Sequence, residues 1–158
     1  MENSTHVGIG QAKIALNSTN LHTLGIGSCI VVYLFEMQEK YVGCTHIMLP
    51  TSKVVSKEVI NKNKFADTAI PHLIKAMVLK TMSIGKLQCK FTGGASMFSG
   101  DTENIGEQNV RAVKTVLNEL DIQVIGYDVG GNKGRSAFFN TFSKELKIVK
   151  SDEEVIII

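Results

Sequence analysis

The residues best suited to chemistry lie in the first third of the chain. Thr23-Leu24-Gly25-Ile26-Gly27-Ser28-Cys29 runs into the apolar stretch Ile30-Val31-Val32, and Gly43-Cys44-Thr45-His46 follows. A cysteine directly after a Gly-rich turn, at the mouth of an apolar strand, has backbone N–H groups around it that can hold an oxyanion; Gly27 and Ser28 are the expected oxyanion and turn support. A thiol nucleophile also needs a base. If residues 30–35 and 41–49 pair as a hairpin, the far end of the second strand brings His46 back beside Cys29. The implied chemistry is that of a cysteine hydrolase, in which a thiolate attacks a carbonyl while imidazole first stabilises the thiolate and then protonates the leaving group. The competing reading is structural, because free cysteine is among the most buried residue types. Cys44 shares a strand face with His46, but nothing turn-like precedes it, so Cys44 and Cys89 are assigned to the core.

Other chemistries fail on spacing. Gly25-Ile26-Gly27 lacks a third glycine and feeds a β-branched run instead of a helix, which excludes a dinucleotide loop. No G-x-x-x-x-G-K-[ST] occurs. The four histidines form no H-x-x-x-H or H-E-x-x-H pair, and Cys44 and His46 are the only Cys/His neighbours at ligand-like spacing, so no metal and no cofactor is expected. Lys133 and Arg135 flank Gly130-Gly131-Asn132, which reads as a plain β-turn with a basic flank in preference to a phosphate cradle. Three cysteines without a C-x-x-C pair argue against a disulfide framework and against a zinc ribbon.

Seventeen basic and 15 acidic residues give +2 with no basic cluster, so no nucleic-acid partner is expected. The longest apolar run, residues 30–35, is far short of the roughly 20 residues that cross a bilayer, and Met1-Glu2-Asn3-Ser4 opens no signal peptide. A soluble, cytoplasmic protein without membrane insertion is expected. At 158 residues the chain reads as one domain, 1–158, long enough to bury roughly 70% of its unfolded surface without staples.

The elements that must position the site follow from periodicity. Residues 14–16, 30–35 and 41–49 read as strands, the last closed by Pro50, and 51–64 as a polar loop. Ala66, Ile70, Leu73, Ile74, Met77 and Met82 recur at three- and four-residue spacing and predict a helix over 65–82, with Pro71 tolerable only near its first turn. Residues 88–92 read as a strand ending at Gly93-Gly94. Val110, Val113, Leu117 and Leu120 predict a second helix over 105–120, with Asn104 and Glu107 as a capping box. Both helices are amphipathic, so each is expected to cover a sheet. Residues 122–129, 136–142 and 146–149 complete the strands, with 130–134 as a hairpin loop between the first two. The terminal Val155-Ile156-Ile157-Ile158 either adds an edge strand or offers a sticky surface. Strands grouped around two helices predict an α+β fold with layered mixed sheets.

Six motifs in order carry a resemblance. They are Thr23-Leu24-Gly25-x-Gly27-Ser28-Cys29; His46-x-Met48-Leu49-Pro50; Phe65-Ala66-Asp67-Thr68-Ala69; Gly93-Gly94-Ala95-Ser96-Met97-Phe98; Ile105-Gly106 with Asn109-Val110; and Gly130-Gly131-Asn132 with Gly134-Arg135-Ser136. Together they resemble the chemoreceptor glutamine deamidase family, CheD, over nearly the whole chain. The resemblance implies a cysteine hydrolase that converts receptor Gln side chains to Glu in chemotaxis adaptation through a Cys29, His46 and Thr23 triad. It also implies a layered mixed β-sandwich with two flanking helices, similar to a glutamine-deamidating toxin. Its implied partners are the cytoplasmic helices of chemoreceptors and a CheC-type phosphatase, and the alternative it leaves open is a mainly non-catalytic adaptor binding both. Gln108 stands where the family usually has Arg, and Phe142 where Gly is common.

Overall fold

A computed structural model describes residues 3–55, 61–80, 84–98 and 104–158. The strands are β1 (Asn3–His6), β2 (Ala12–Leu16), β3 (Thr19–Ile26), β4 (Ile30–Phe35), β5 (Tyr41–Ile47), β6 (Gln88–Gly93), β7 (Gln123–Val129), β8 (Arg135–Phe139), β9 (Leu146–Lys150) and β10 (Val155–Ile157). The α-helices are α1 (Ala66–Val78) and α2 (Ile105–Glu119). Among the described residues the strands form two five-stranded sheets, ordered β1-β3-β8-β9-β10 and β2-β5-β4-β6-β7. Both are mixed, since β1 runs parallel to β3 and β6 parallel to β7. The chain is thus an α+β layered sandwich, as the periodicity predicts.

The centre of the molecule is β4, all six residues of which are buried. A strand covered on both faces reads as a continuous apolar run, which is why Ile30–Phe35 shows no alternation. Ile30, Val32 and Leu34 face Ile70, Leu73 and Met77 of α1 and Val113 and Leu117 of α2, whereas Val31, Tyr33 and Phe35 face Leu21, Ala137, Phe139 and Ile148 of the other sheet. Tyr33 and Phe139 stack with ring centroids 4.6 Å apart. Each helix covers a sheet, as expected, and it is the same sheet for both. An amphipathic stripe shows that a helix covers something without saying what.

Several boundaries differ from expectation for identifiable reasons. α1 starts at Ala66, so Pro71 sits in its second turn and not its first; Pro71 is exposed, which lets water take the carbonyl that its missing N–H leaves free. The helix ends at Val78, and Met82 lies outside the described residues. The carboxylate of Asp67 in the first turn accepts from the Ser52 N–H at 2.9 Å and from the Thr51 and Ser52 hydroxyls at 3.0 Å, pinning the chain beyond Pro50 to α1. The capping contact of α2 is present, with Asn104 Oδ1 accepting from the Glu107 N–H at 3.3 Å.

The segment 130–134 is not a hairpin loop, because β7 and β8 belong to different sheets. It is a crossover, held by the Gly130 N–H on Gly93 O and by Arg135, which donates to the Asp128 carbonyl at 2.9 Å, to its carboxylate at 2.5 Å and to Gly130 O. Arg135 is almost wholly buried, and Lys133 pairs with Asp152, so the basic flank is spent within the fold. Residues 136–142 do not all form a strand either: β8 stops at Phe139, where Asn140 Oδ1 turns the chain by accepting from the Phe142 and Ser143 N–H groups. The apolar tail adds an edge strand, β10, antiparallel to β9. No helix among the described residues is long and apolar enough to cross a membrane.

Candidate active site

β3 runs on through Thr23 to Ile26, with a register shift before Ile26, so the turn ahead of Cys29 is only Gly27 and Ser28. The backbone there is held at three consecutive carbonyls. Gly27 O accepts from the Ala95 N–H at 2.9 Å, Ser28 O from Asn109 Nδ2 at 2.8 Å, and Cys29 O from the Gly94 N–H at 2.8 Å. Gly93 makes this approach possible: its φ is +126°, and a Cβ there would lie 2.0 Å from Cys29 O. The Cys29 N–H lies close enough to its own thiol to favour the thiolate, the polarity an oxyanion donor needs.

The register places the expected base. β4 and β5 are antiparallel with Ile30 opposite Ile47 and Val31 opposite His46. Cys29, one residue before β4, is therefore a diagonal neighbour of His46 on the face between the sheets, a relation that long side chains span. His46 is 2% exposed, and its Nδ1 lies 3.2 Å from Val7 O. A carbonyl can only accept, so neutral His46 carries its proton on Nδ1 and presents the Nε2 lone pair. Nε2 is buried and has no hydrogen-bond partner among the described residues.

Thr23 Oγ1 donates to the same Val7 carbonyl at 3.2 Å. Threonine and histidine are thus joined through one backbone oxygen. Val7 was invisible in the sequence, because a main-chain carbonyl carries no residue signature; it belongs to the site only because β1 pairs in parallel with β3 and the Val7 N–H continues that ladder to His22 O at 2.9 Å.

Burial shapes the electrostatics. It raises the Cys29 thiol above its ordinary value of 9.0, against the opposing pull of its own N–H. It lowers His46 below its ordinary 6.5, aided by nearby His6 and opposed by the Val7 carbonyl. Both shifts favour a neutral thiol beside a neutral imidazole, not the preformed thiolate that the sequence suggested. Cys44 and Cys89 are fully buried in the two cores, and burial pushes their thiols up strongly.

Cys29 opens onto a cavity of about 330 Å³, walled by Ile9, Met48, Leu49, Met97, Phe98 and Ile105 among others. Phe98 is 78% exposed and Ile9 56%, so the rim is apolar and unusually open to solvent.

The family model for CheD chemotactic sensory transduction matches residues 48–150. The probable chemoreceptor glutamine deamidase CheD of Clostridium botulinum (strain Eklund 17B) is 44% identical over 156 residues, covering 94% of this chain and 96% of that protein. The probable chemoreceptor glutamine deamidase CheD of Clostridium acetobutylicum is 42% identical over 146 residues, with 90% and 87% covered. The chain belongs to the CheD family. The chemoreceptor glutamine deamidase CheD of Halalkalibacterium halodurans is 38% identical over 152 residues, with 94% of each chain covered. The CheD family model begins beyond Thr23, Cys29 and His46, but the unmatched share of these full-length alignments is too small to leave the 23–46 stretch outside them.

Proposed function

We propose that this chain is a protein-glutamine deamidase that converts Gln side chains on the cytoplasmic helices of chemoreceptors to Glu in chemotaxis adaptation, with Cys29 as nucleophile, His46 as acid and base, and Thr23 as a positioning residue. One observation carries the reading. Cys29 lies at an open, apolar-rimmed cavity with its peptide held on one side, while the unpartnered Nε2 of His46 shares its sheet face.

In the first step Sγ bonds to the carboxamide carbon, His46 Nε2 takes the thiol proton, and the carbonyl electron pair moves onto oxygen, where the Cys29 N–H faces it. Collapse of the tetrahedral adduct breaks the C–N bond, and His46 returns the proton to the leaving nitrogen, giving ammonia and a thioester. His46 then takes a proton from water as water attacks the thioester. The C–S bond breaks, the thiol regains its proton, and Glu is released. Neutral resting groups make His46 a base at the moment of attack, so the thiolate need not exist beforehand.

Three outcomes follow. Deamidation should fall as pH drops through the depressed His46 value, below 6.5, because imidazolium cannot accept the thiol proton; a pH–rate profile reads this limb. Iodoacetamide labelling of Cys29 in the free protein should keep climbing toward and beyond pH 9.0, since only the thiolate reacts; a plateau already reached at pH 5 to 7 would show an ion pair instead. Thr23→Val removes one neutral hydrogen bond behind the base, worth about 0.5 to 1.5 kcal/mol, and should lower kcat by about 2- to 13-fold.

The apolar rim supports a second role at the same mouth. Exposed Phe98, Met97 and Ile9 suit contact with a folded protein surface, so a CheC-type phosphatase is proposed to occupy the mouth and compete with receptor helices. Ammonia release from receptor fragments by the pure protein tests the enzyme reading, and a competition titration with the phosphatase tests the shared surface. Binding without ammonia release would favour an adaptor, and simultaneous independent binding would separate the two surfaces. A cytoplasmic location is part of the same proposal, since the receptor helices it would act on are cytoplasmic.

A further inference from the structure

Asn109 lies in the second turn of α2, fully buried, and none of the chemistry above uses it. Its Nδ2 donates to Ser28 O at 2.8 Å and to Met48 O at 3.0 Å, while Oδ1 is buried with no partner among the described residues. A side chain kept for packing alone would be poorly chosen. Asn is a weaker helix former than Leu or Ala, and an orphaned buried acceptor costs stability that an apolar isostere avoids. The two donors, by contrast, reach the two segments that must be brought together. Ser28 immediately precedes Cys29, and Met48 follows His46 by two residues.

We propose that Asn109 is a positioning residue for deamidation: by bridging Ser28 O and Met48 O it fixes the separation of Cys29 from His46 and turns the Cys29 N–H toward the reacting carbonyl. The inference rests on the deamidase reading of the site. A peptide group is planar and trans, so its N–H points opposite to its C=O. Anchoring Ser28 O on the α2 side therefore aims the Cys29 N–H away from α2. The flanking carbonyls of Gly27 and Cys29 are held by backbone donors from residues 94 and 95, which no side-chain change removes, and among the described residues Asn109 alone supplies a side-chain donor to this turn. The helix itself is seated against those residues: a Cβ on Gly106 would lie 2.4 Å from Ala95 O and one on Gly94 2.4 Å from Val110 Cγ2. α2 thus forms one rigid backing for both the nucleophile turn and the end of β5.

The test compares Asn109→Ala with Val113→Ala, a core truncation one turn further along the same helix whose side chain has no hydrogen bond to give either segment. Both are assayed where circular dichroism shows them fully folded. Asn109→Ala is expected to lower kcat on receptor fragments by about 10- to 100-fold with KM within about twofold, short of the 10²- to 10³-fold attributed to outright loss of an oxyanion donor. It is also expected to move the pH profile of Cys29 alkylation upward, because a loosened N–H no longer supports the thiolate. Val113→Ala should lower thermal stability and change neither readout. Should Asn109→Ala fail to fold, Asn109→Ser, too short to reach both carbonyls, carries the same expectation. A kcat matching Val113→Ala together with an unmoved alkylation profile overturns the proposal. Wild-type protein that releases no ammonia defeats the deamidase reading instead, and the alkylation profile still decides whether Asn109 orients Cys29.

Discussion

Replacing Cys29 with Ala is expected to eliminate deamidation, by more than about 10⁴-fold, while leaving the fold and receptor binding in place. Removing the nucleophile removes the only route to the thioester, and the residual catalysis of an oriented site is small beside it. The substitution itself is mild, because Cys29 sits at a cavity wall and its backbone contacts are made by carbonyls that alanine retains. Cys44→Ala and Cys89→Ala should behave in the opposite way. Each truncates a fully buried side chain and should cost about 1 to 2 kcal/mol of stability, below the range for Leu→Ala, while keeping most activity at a permissive temperature. Alkylation followed by peptide mapping distinguishes the three thiols independently, since Cys29 is the one that lines the cavity. Faster labelling of Cys44 or Cys89 would count against the assignment.

Replacing His46 with Ala is expected to lower turnover by about 10²- to 10⁴-fold, the usual worth of general acid and base catalysis. Both proton transfers in each half-reaction pass through Nε2, so no other group in the described site takes over. The variant should also lose the acid limb of whatever activity remains. Its unfolding should show a further signature. In the wild type the unfolded imidazole binds a proton near pH 6.5 but the buried one does not until the pH is lower, so stability falls as the pH drops below 6.5; His46→Ala removes that contribution. Near-normal turnover by the variant would contradict the mechanism, and an unchanged acid limb would move it to another group.

How far the sequence carries depends on what kind of physics fixes each feature. Ile30–Phe35 and the apolar positions of α1 and α2 are legible because burial alone determines them. The pairing that brings His46 toward Cys29 is legible too, since adjacent strands joined by a short turn form a hairpin. What periodicity does not encode is which sheet receives a helix or a strand. Gly130 to Gly134 has the composition of a hairpin loop, yet it carries the chain between sheets, because buried Arg135, paired with the half-buried Asp128, stabilises the crossing. β1 and β3 escaped notice for a related reason: Asn3–His6 is polar, and Thr19–Ile26 contains the Gly25 that suggested a turn. Their parallel pairing is what delivers Val7 O to His46 and Thr23. Backbone groups act through topology, so the carbonyl behind the base could be found only in the fold.

The most direct test of the central claim is a mass-spectrometric map of a receptor cytoplasmic fragment, incubated in ¹⁸O-labelled water with wild-type protein and with Cys29→Ala. A cysteine hydrolase should convert selected Gln residues to Glu carrying one ¹⁸O from solvent, with an equal amount of ammonia released, and the variant should convert none. Conversion by Cys29→Ala at a comparable rate, or an unmodified fragment recovered from the wild-type reaction, would contradict it.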